Sequence, residues 1–173
     1  MYIVVGLGNP GEEYARTRHN TGRMAVDFLA EKVKNIKVLV PETFMNHSGK
    51  AVVKAVKSKK AAEKLIVVYD DLDLPLGSMK ISYNRSSGGH RGVESIIKAL
   101  KTEAFIRIRI GIAPTTPSGK LKKPKGESAV EKHILGEFKK PETDVLKKIF
   151  RSVTTAVETI VDSGVGLAMT EFN

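Results

Sequence analysis

Short apolar runs alternate with amphipathic stretches along this chain of 173 residues. Tyr2 to Val5 is a β-branched run closed by Gly6, which predicts a central strand. Ile36 to Val40 predicts a second strand, stopped by Pro41. Leu65 to Tyr69 is apolar throughout, the pattern of a strand buried on both faces. Met79 to Tyr83 and Phe105 to Ile110 alternate instead. In the latter, Arg107 and Arg109 share one face and the apolar residues the other.

Helical spacing fills the intervals. Met24, Phe28, Leu29 and Val33 form a stripe over residues 23 to 33. Ser48 stands where a cap belongs for a helix through Lys57, with Val52, Val53 and Val56 on one face. Val93 to Leu100 and Ala129 to Leu135 predict two more helices. Pro141 opens a last one, striped by Val145, Ile149, Val153, Val157 and Ile160 and ending near Gly164. Asp70 to Gly77 reads as a turn-rich acidic loop and Ser86 to Gly92 as a flexible one. Thr115 to Glu127 reads as a mobile basic loop, with lysines set among Pro and Gly. There is no internal repeat and no composition break, so residues 1–173 are expected to form one α/β domain.

Composition narrows the chemistry. The chain has no cysteine, which removes disulfides and a thiolate nucleophile and suits a reducing compartment. No apolar run approaches the roughly 18 residues of a membrane span. The first residues show no basic segment or cleavage site of an export signal, so the cytoplasm is the expected location. Lys and Arg number 29 against 19 Asp and Glu, a formal charge of +10 that favours a polyanionic partner. Aromatic content is 6% with no Trp, which weighs against a stacking platform for single-stranded nucleic acid.

Asn9, Asn46 and Asp70 each follow a predicted strand closely, and His19 precedes a predicted helix. If those strands are neighbours, the four side chains converge beyond the strand ends, where open α/β sheets bind ligands. A lone histidine is commonly structural. One beside a carboxylate is an oriented base, and asparagines hold a water or a carbonyl oxygen without adding charge. No serine sits in a nucleophile elbow, so a His-activated water is the economical reading. Gly6-Leu7-Gly8-Asn9-Pro10-Gly11 also matches a dinucleotide fingerprint, although Pro10 and the His19 segment separate it from the next helix. Asp70, Asp71 and Asp73 are alternatively a magnesium set. His47, His90 and His133 offer no zinc spacing. Lys80, Arg85, Arg91, Arg107, Arg109 and the lysines at 120, 122, 123 and 125 are either solvated surface or phosphate contacts.

The motifs taken together resemble bacterial-type peptidyl-tRNA hydrolases. They are Gly6 to Gly11, Tyr14 with Thr17 to Gly22, Pro41 to Gly49, Asp70 to Gly77, Gly88 to Gly92 and Phe105 to Gly111, in family order over nearly the whole chain. The resemblance implies a single-domain α/β fold with a twisted, mixed, mostly parallel sheet and helices on both faces. It implies hydrolysis of the ester between peptide and tRNA by a cytoplasmic monomer, with no metal or cofactor required. His19 falls on the family's catalytic histidine and Asp70 on its partner. Asn9 and Asn46 fall on the asparagines that place peptide and water. Tyr14, Met45, Gly89, His90 and Arg91 are assigned to substrate binding within the matching segments. Arg109 falls on the clamp for the tRNA 5′-phosphate, and Lys80, Arg85, Lys120, Lys122 and Lys123 extend the phosphate grip. Residues 115 to 126 match the mobile lid. An oxyanion donor is expected from amides or from backbone N–H groups near Gly88 to Gly92.

Three departures stand out. Arg91 replaces the usual asparagine of the Gly-Gly-His-Asn-Gly segment. It can supply a donor, turn toward RNA phosphate, or obstruct the site. The chain also passes almost directly from its first helix to the Ile36 strand, where the family has a longer connection. Ser82 stands where a second basic residue is common. Two rival readings follow: an RNA-binding relative that has lost turnover, and a nucleotide-binding oxidoreductase with a helix opening directly at Gly11.

Overall fold

A computed structural model describes all residues, 1–173. Five strands form one sheet: β1 (Tyr2–Gly6), β2 (Ile36–Leu39), β3 (Leu65–Pro75), β4 (Met79–Tyr83) and β5 (Ile106–Ala113), in the spatial order β2-β1-β3-β5-β4. All neighbours are parallel except β4, which runs antiparallel to β5 at one edge. Seven helices accompany them: α1 (Thr21–Leu29), α2 (Ser48–Ala55), α3 (Lys59–Ala62), α4 (Arg91–Leu100), α5 (Glu127–Ile134), α6 (Lys140–Ser163) and α7 (Val165–Phe172). Short 3-10 turns occupy Glu12–Tyr14, Arg18–Asn20 and Met45–His47.

The alternation of side chains along each strand splits the core in two. Val4, Ile66, Val68, Ile106, Ile108 and Ile110 bury against α1, α6 and α7. Val5, Leu65, Val67, Tyr69 and Phe105 bury against α2, α3 and α4 on the other face. The mixed, mostly parallel sheet with helices on both faces is the architecture the motifs implied. No helix is long and apolar enough to cross a membrane.

Several boundaries differ from the sequence reading, each for a physical reason. The acidic run after Tyr69 is not a loop: β3 continues through it to Pro75, with Asp70 and Asp71 in register beside Ile110 and Gly111 of β5. Pairing with β5 keeps that polar stretch extended, with two imidazoles on Asp70, Arg109 on Asp71 and Lys123 on Asp73. Ser48 is not a cap. It is the first residue of α2, and its hydroxyl donates to the Met45 carbonyl at 2.7 Å, closing the preceding 3-10 turn. Val52 and Val56 are buried as predicted, but Val53 lies off that stripe and is 39% exposed. The last helix stops at Ser163, and Gly164, at φ 93°, turns the chain into an unpredicted helix, α7. After α7 the Asn173 side chain accepts from the Ile81 N–H at 2.8 Å and donates to its carbonyl at 2.9 Å. The chain end thereby engages the backbone of edge strand β4. In residues 115 to 126 a bridge pairs Thr115 with Leu121, and the four lysines stand exposed.

Candidate active site

The parallel order sets the end of β1 beside the middle of β3, with Gly6 opposite Val68, and the site is built just beyond that pair, around Asp70. Gly6 lets α1 approach closely, since a Cβ on it would lie 2.6 Å from the Gly22 carbonyl oxygen. The backbone leaving β1 is then pinned by Asn20. Its Oδ1 accepts from the Asn9 N–H and its Nδ2 donates to the Asn9 carbonyl, both at 2.9 Å. Asn9 Oδ1 accepts from the Met45 N–H at 2.7 Å, which fixes the amide and leaves its NH2 group for a ligand. His19 projects from the 3-10 turn ahead of α1.

Asp70, on β3, is 3% exposed and sits between two imidazoles. His19 Nδ1 lies 2.8 Å from its Oδ2 and His90 Nε2 lies 2.8 Å from its Oδ1. The partners assign the tautomers. His90 Nδ1 accepts from the Gly92 and Val93 N–H groups at 3.2 and 3.4 Å, capping α4. Its proton therefore resides on Nε2 and points at Asp70. Asp70, ionised, takes the His19 proton on Nδ1 and leaves His19 Nε2 as a free lone pair. Burial alone would raise the Asp70 pKa, but the charges and hydrogen bonds of His19 and His90 hold it well below the usual carboxylate range. Burial alone would lower that of His19. The Asp70 charge and hydrogen bond outweigh burial, against some opposition from Arg91, and the net shift is upward.

The ligating atoms of His19, Asp70 and His90 lie within 4.8 Å of one another, close enough to surround a cation. The capping role of His90 instead places a proton on the nitrogen such an ion would need. The predicted magnesium set does not converge either. Asp71 receives Arg109 Nε at 2.7 Å and Asp73 receives Lys123 Nζ at 2.6 Å, so the three carboxylates share no common partner. The dinucleotide reading also fails, because α1 opens at Thr21 and only 3-10 turns lie between it and Gly11.

These groups line a cleft of about 700 Å³, together with Asn46, Gly89, Arg91, Arg85 and Lys123. Asn46 is exposed on the wall beside buried Met45. Arg109 reaches the cleft with its Nη1 donating to Ser82 Oγ at 3.3 Å, so the serine that replaces a basic residue serves to steady the arginine. Tyr14 does not line the cleft. It packs edge-on against Phe44, which does, at 6.3 Å between ring centres. Lys80 faces the same way as Arg109, its partner across the β4–β5 pair, but with Lys120 and Lys122 it lies outside the cleft lining. Arg107, although part of the cleft wall, does not present its charge there. It is 1% exposed, its guanidinium lies 4.4 Å from the Phe105 ring, and it donates to the carbonyls of Arg85, Ser86 and Glu103. It serves as a pin for the loop that carries His90.

The turn at Gly88 to Gly92 offers less to an oxyanion than expected. The N–H groups of Gly89, His90, Gly92 and Val93 are engaged by Ser87 Oγ, the Ser87 carbonyl and His90 Nδ1. The side-chain amides of Asn9 and Asn46, both on the cleft wall, are neutral donors there. Arg91 does not obstruct His19: its side chain is 72% exposed and its Nη2 meets Glu127 Oε1 of α5 at 3.3 Å. Asn20 and the pin formed by Arg107 escaped the sequence reading, since hydrogen bonds to distant backbone leave no periodic signal.

A family model described as peptidyl-tRNA hydrolase matches residues 3–37 and 32–173. The two pieces meet at the shortened connection between α1 and β2. A peptidyl-tRNA hydrolase of Thermodesulfovibrio yellowstonii is 40% identical over 195 residues, covering 100% of this chain and 99% of its own length. One of Fervidobacterium nodosum is 42% identical over 186 residues, covering 99% and 95%. Among solved structures, the peptidyl-tRNA hydrolase of Acinetobacter baumannii superposes with a TM-score of 0.85 at 31% identity, covering 100% of this chain and 94% of that one.

Proposed function

This chain belongs to the peptidyl-tRNA hydrolase family and hydrolyses the ester bond between peptide and tRNA, and we propose that His19 is the base that does so. The observation that carries the assignment is the buried Asp70 carboxylate 2.8 Å from His19 Nδ1, which leaves Nε2 free on the cleft side.

In the proposed reaction His19 Nε2 takes a proton from water as the oxygen attacks the ester carbonyl carbon. The imidazolium is held by Asp70, which keeps its charge throughout. Negative charge gathers on the former carbonyl oxygen, where the NH2 groups of Asn9 and Asn46 are the donors. The intermediate collapses with cleavage of the bond to the ribose oxygen. That oxygen takes the proton from His19 Nε2 and leaves as the 3′-terminal hydroxyl of tRNA. The peptide leaves with the second proton of the water on its new carboxyl group and releases that proton to solvent, ending as the carboxylate. No step in this path calls for a metal or cofactor.

Arg109, Arg85 and Lys123 give one arm of the cleft its positive charge, and that arm suits the phosphates of the acceptor stem. Lys80, Lys120 and Lys122 stand outside it and would extend the grip along the RNA. The same reading makes residues 1–173 one catalytic domain, acting as a cytoplasmic monomer. The competing reading, an RNA-binding relative without turnover, is less well supported, because Arg91, although on the cleft wall, is mostly exposed and engages Glu127.

The test is release of N-acyl amino acid from N-acyl-aminoacyl-tRNA, run beside His19→Ala. Turnover that disappears in the variant supports the assignment. Turnover that persists in His19→Ala sinks it, and tRNA binding without turnover in the parent chain favours the competing reading.

A further inference from the structure

Two arms leave the reacting centre at His19, and they differ in charge pattern. One runs over β4 and β5 past Arg109 and Arg85. The other passes Asn46 and Arg91 into an adjoining depression of about 430 Å³, completed by Glu94, Ser95 and Lys98. If RNA phosphate takes the first arm, the acyl moiety is left with the second. No apolar side chain lines that depression, so it selects peptides by charge and hydrogen bonding.

Its cations are unequally available. Lys98 is tied to Glu94 at 2.9 Å, one helical turn away. Arg91 meets only the carboxylate of Glu127, 86% exposed on another helix, at 3.3 Å. Such an exposed pair is weak and exchangeable. A peptide carboxylate entering the depression can take the place of Glu127 with little loss. Arg91 directly follows His90, whose Nε2 meets Asp70 at 2.8 Å, and it lines the cleft together with His19. The peptide residue it meets is therefore near the ester.

We propose that Arg91 is a specificity-determining residue that makes this hydrolase favour peptidyl-tRNAs with Asp or Glu next to the esterified residue. The inference rests on the hydrolase reading and adds a substrate preference to it. It also gives Glu127 a part, as the intramolecular competitor for the same guanidinium.

The experiment uses three N-acetyl-dipeptidyl-tRNAs that differ only in the penultimate residue: Glu, Gln or Lys. The expected order of kcat/KM is Glu, then Gln, then Lys, with about threefold between the first two, the size an exposed ion pair gives. Arg91→Gln brings the ratios to about one, Arg91→Lys keeps them in part, and Glu127→Gln widens them. Raising the salt concentration narrows them. Equal rates on all three in the parent chain overturn the proposal, as does a preference that survives Arg91→Gln. A uniform loss in Arg91→Gln with a shallower salt dependence also overturns it, and assigns Arg91 to RNA phosphate. If even the neutral substrate is not cleaved by the parent chain, the hydrolase reading fails and this inference with it.

Discussion

His19 Nδ1 lies 2.8 Å from Oδ2 of Asp70, and that carboxylate is buried. The pair fixes which imidazole nitrogen holds the proton and which one faces the cleft. Asp70→Asn keeps the shape but removes the charge, and its amide can present an N–H where His19 needs an acceptor. Turnover is expected to fall by roughly 10²- to 10⁴-fold, as for loss of an oriented general base. Single-turnover hydrolysis measures the fall, and an unchanged circular dichroism spectrum shows that the fold persists.

The pH dependence follows from the direction of the His19 shift. The base must be neutral to act, and Asp70 holds its pKa above the usual value of about 6.5. The parent chain should therefore gain kcat/KM as pH rises, with an inflection above that value. Arg91 opposes protonation, so Arg91→Gln moves the inflection up, whereas Asp70→Asn moves it down. Stability runs the other way. The imidazolium–Asp70 pair stabilises the fold below the ordinary histidine value, and that contribution is lost as pH rises through the raised one. An inflection that stays put in both variants would detach His19 from the rate.

His90 acts on the second oxygen of Asp70, its ring centre 5.1 Å from that of His19. Its Nε2 faces Oδ1 and its Nδ1 caps α4, so both ring nitrogens are engaged within the protein. His90→Ala is expected to lower kcat with little change in KM, because Asp70 loses one of its two anchors. Loss of the cap should cost about 1 kcal/mol of stability. A rise in KM at constant kcat would instead make His90 a substrate contact.

How far the sequence reached depended on the range of the interactions involved. Strand positions were legible because burial on one or both faces imprints a period on neighbouring residues, as in Leu65 to Tyr69 and Phe105 to Ile110. Asn9, His19 and Asp70 were legible because each follows an apolar run closely or precedes a helix. The continuation of β3 through Asp71 and Asp73 was not, since it depends on Arg109 and Lys123 from distant segments. Arg107 looked like surface charge because its acceptors are backbone carbonyls, which leave no mark on composition. Gly164 and Gly166 interrupted the helical pattern enough to hide α7.

Arg109 holds Asp71 and Ser82 while lining the cationic arm of the cleft. Arg109→Gln removes one phosphate-directed charge. KM for peptidyl-tRNA should rise, and the slope of log affinity against log salt should shrink by about one. Filter binding over a salt series tests this. An unchanged slope would place Arg109 in the architecture rather than on the RNA.

Gly22 is the residue that seats the His19 turn against the sheet. It lies in the first turn of α1, just after His19, and a Cβ on it would overlap the carbonyl oxygen of Val68 on β3. Backbone cannot move aside as a side-chain tip can, because the Val68 carbonyl also accepts from the Leu7 N–H at 3.0 Å on the way to Asn9. Gly22→Ala must therefore push α1 off β3 and carry the His19 turn with it. Overpacking of this kind costs about 1–3 kcal/mol. The displaced turn also lengthens the His19–Asp70 contact, so activity should fall further than the lost stability explains. Urea denaturation and kcat measured on the same preparation separate the two effects. Full activity in a merely less stable variant would show that α1 does not set the geometry of His19.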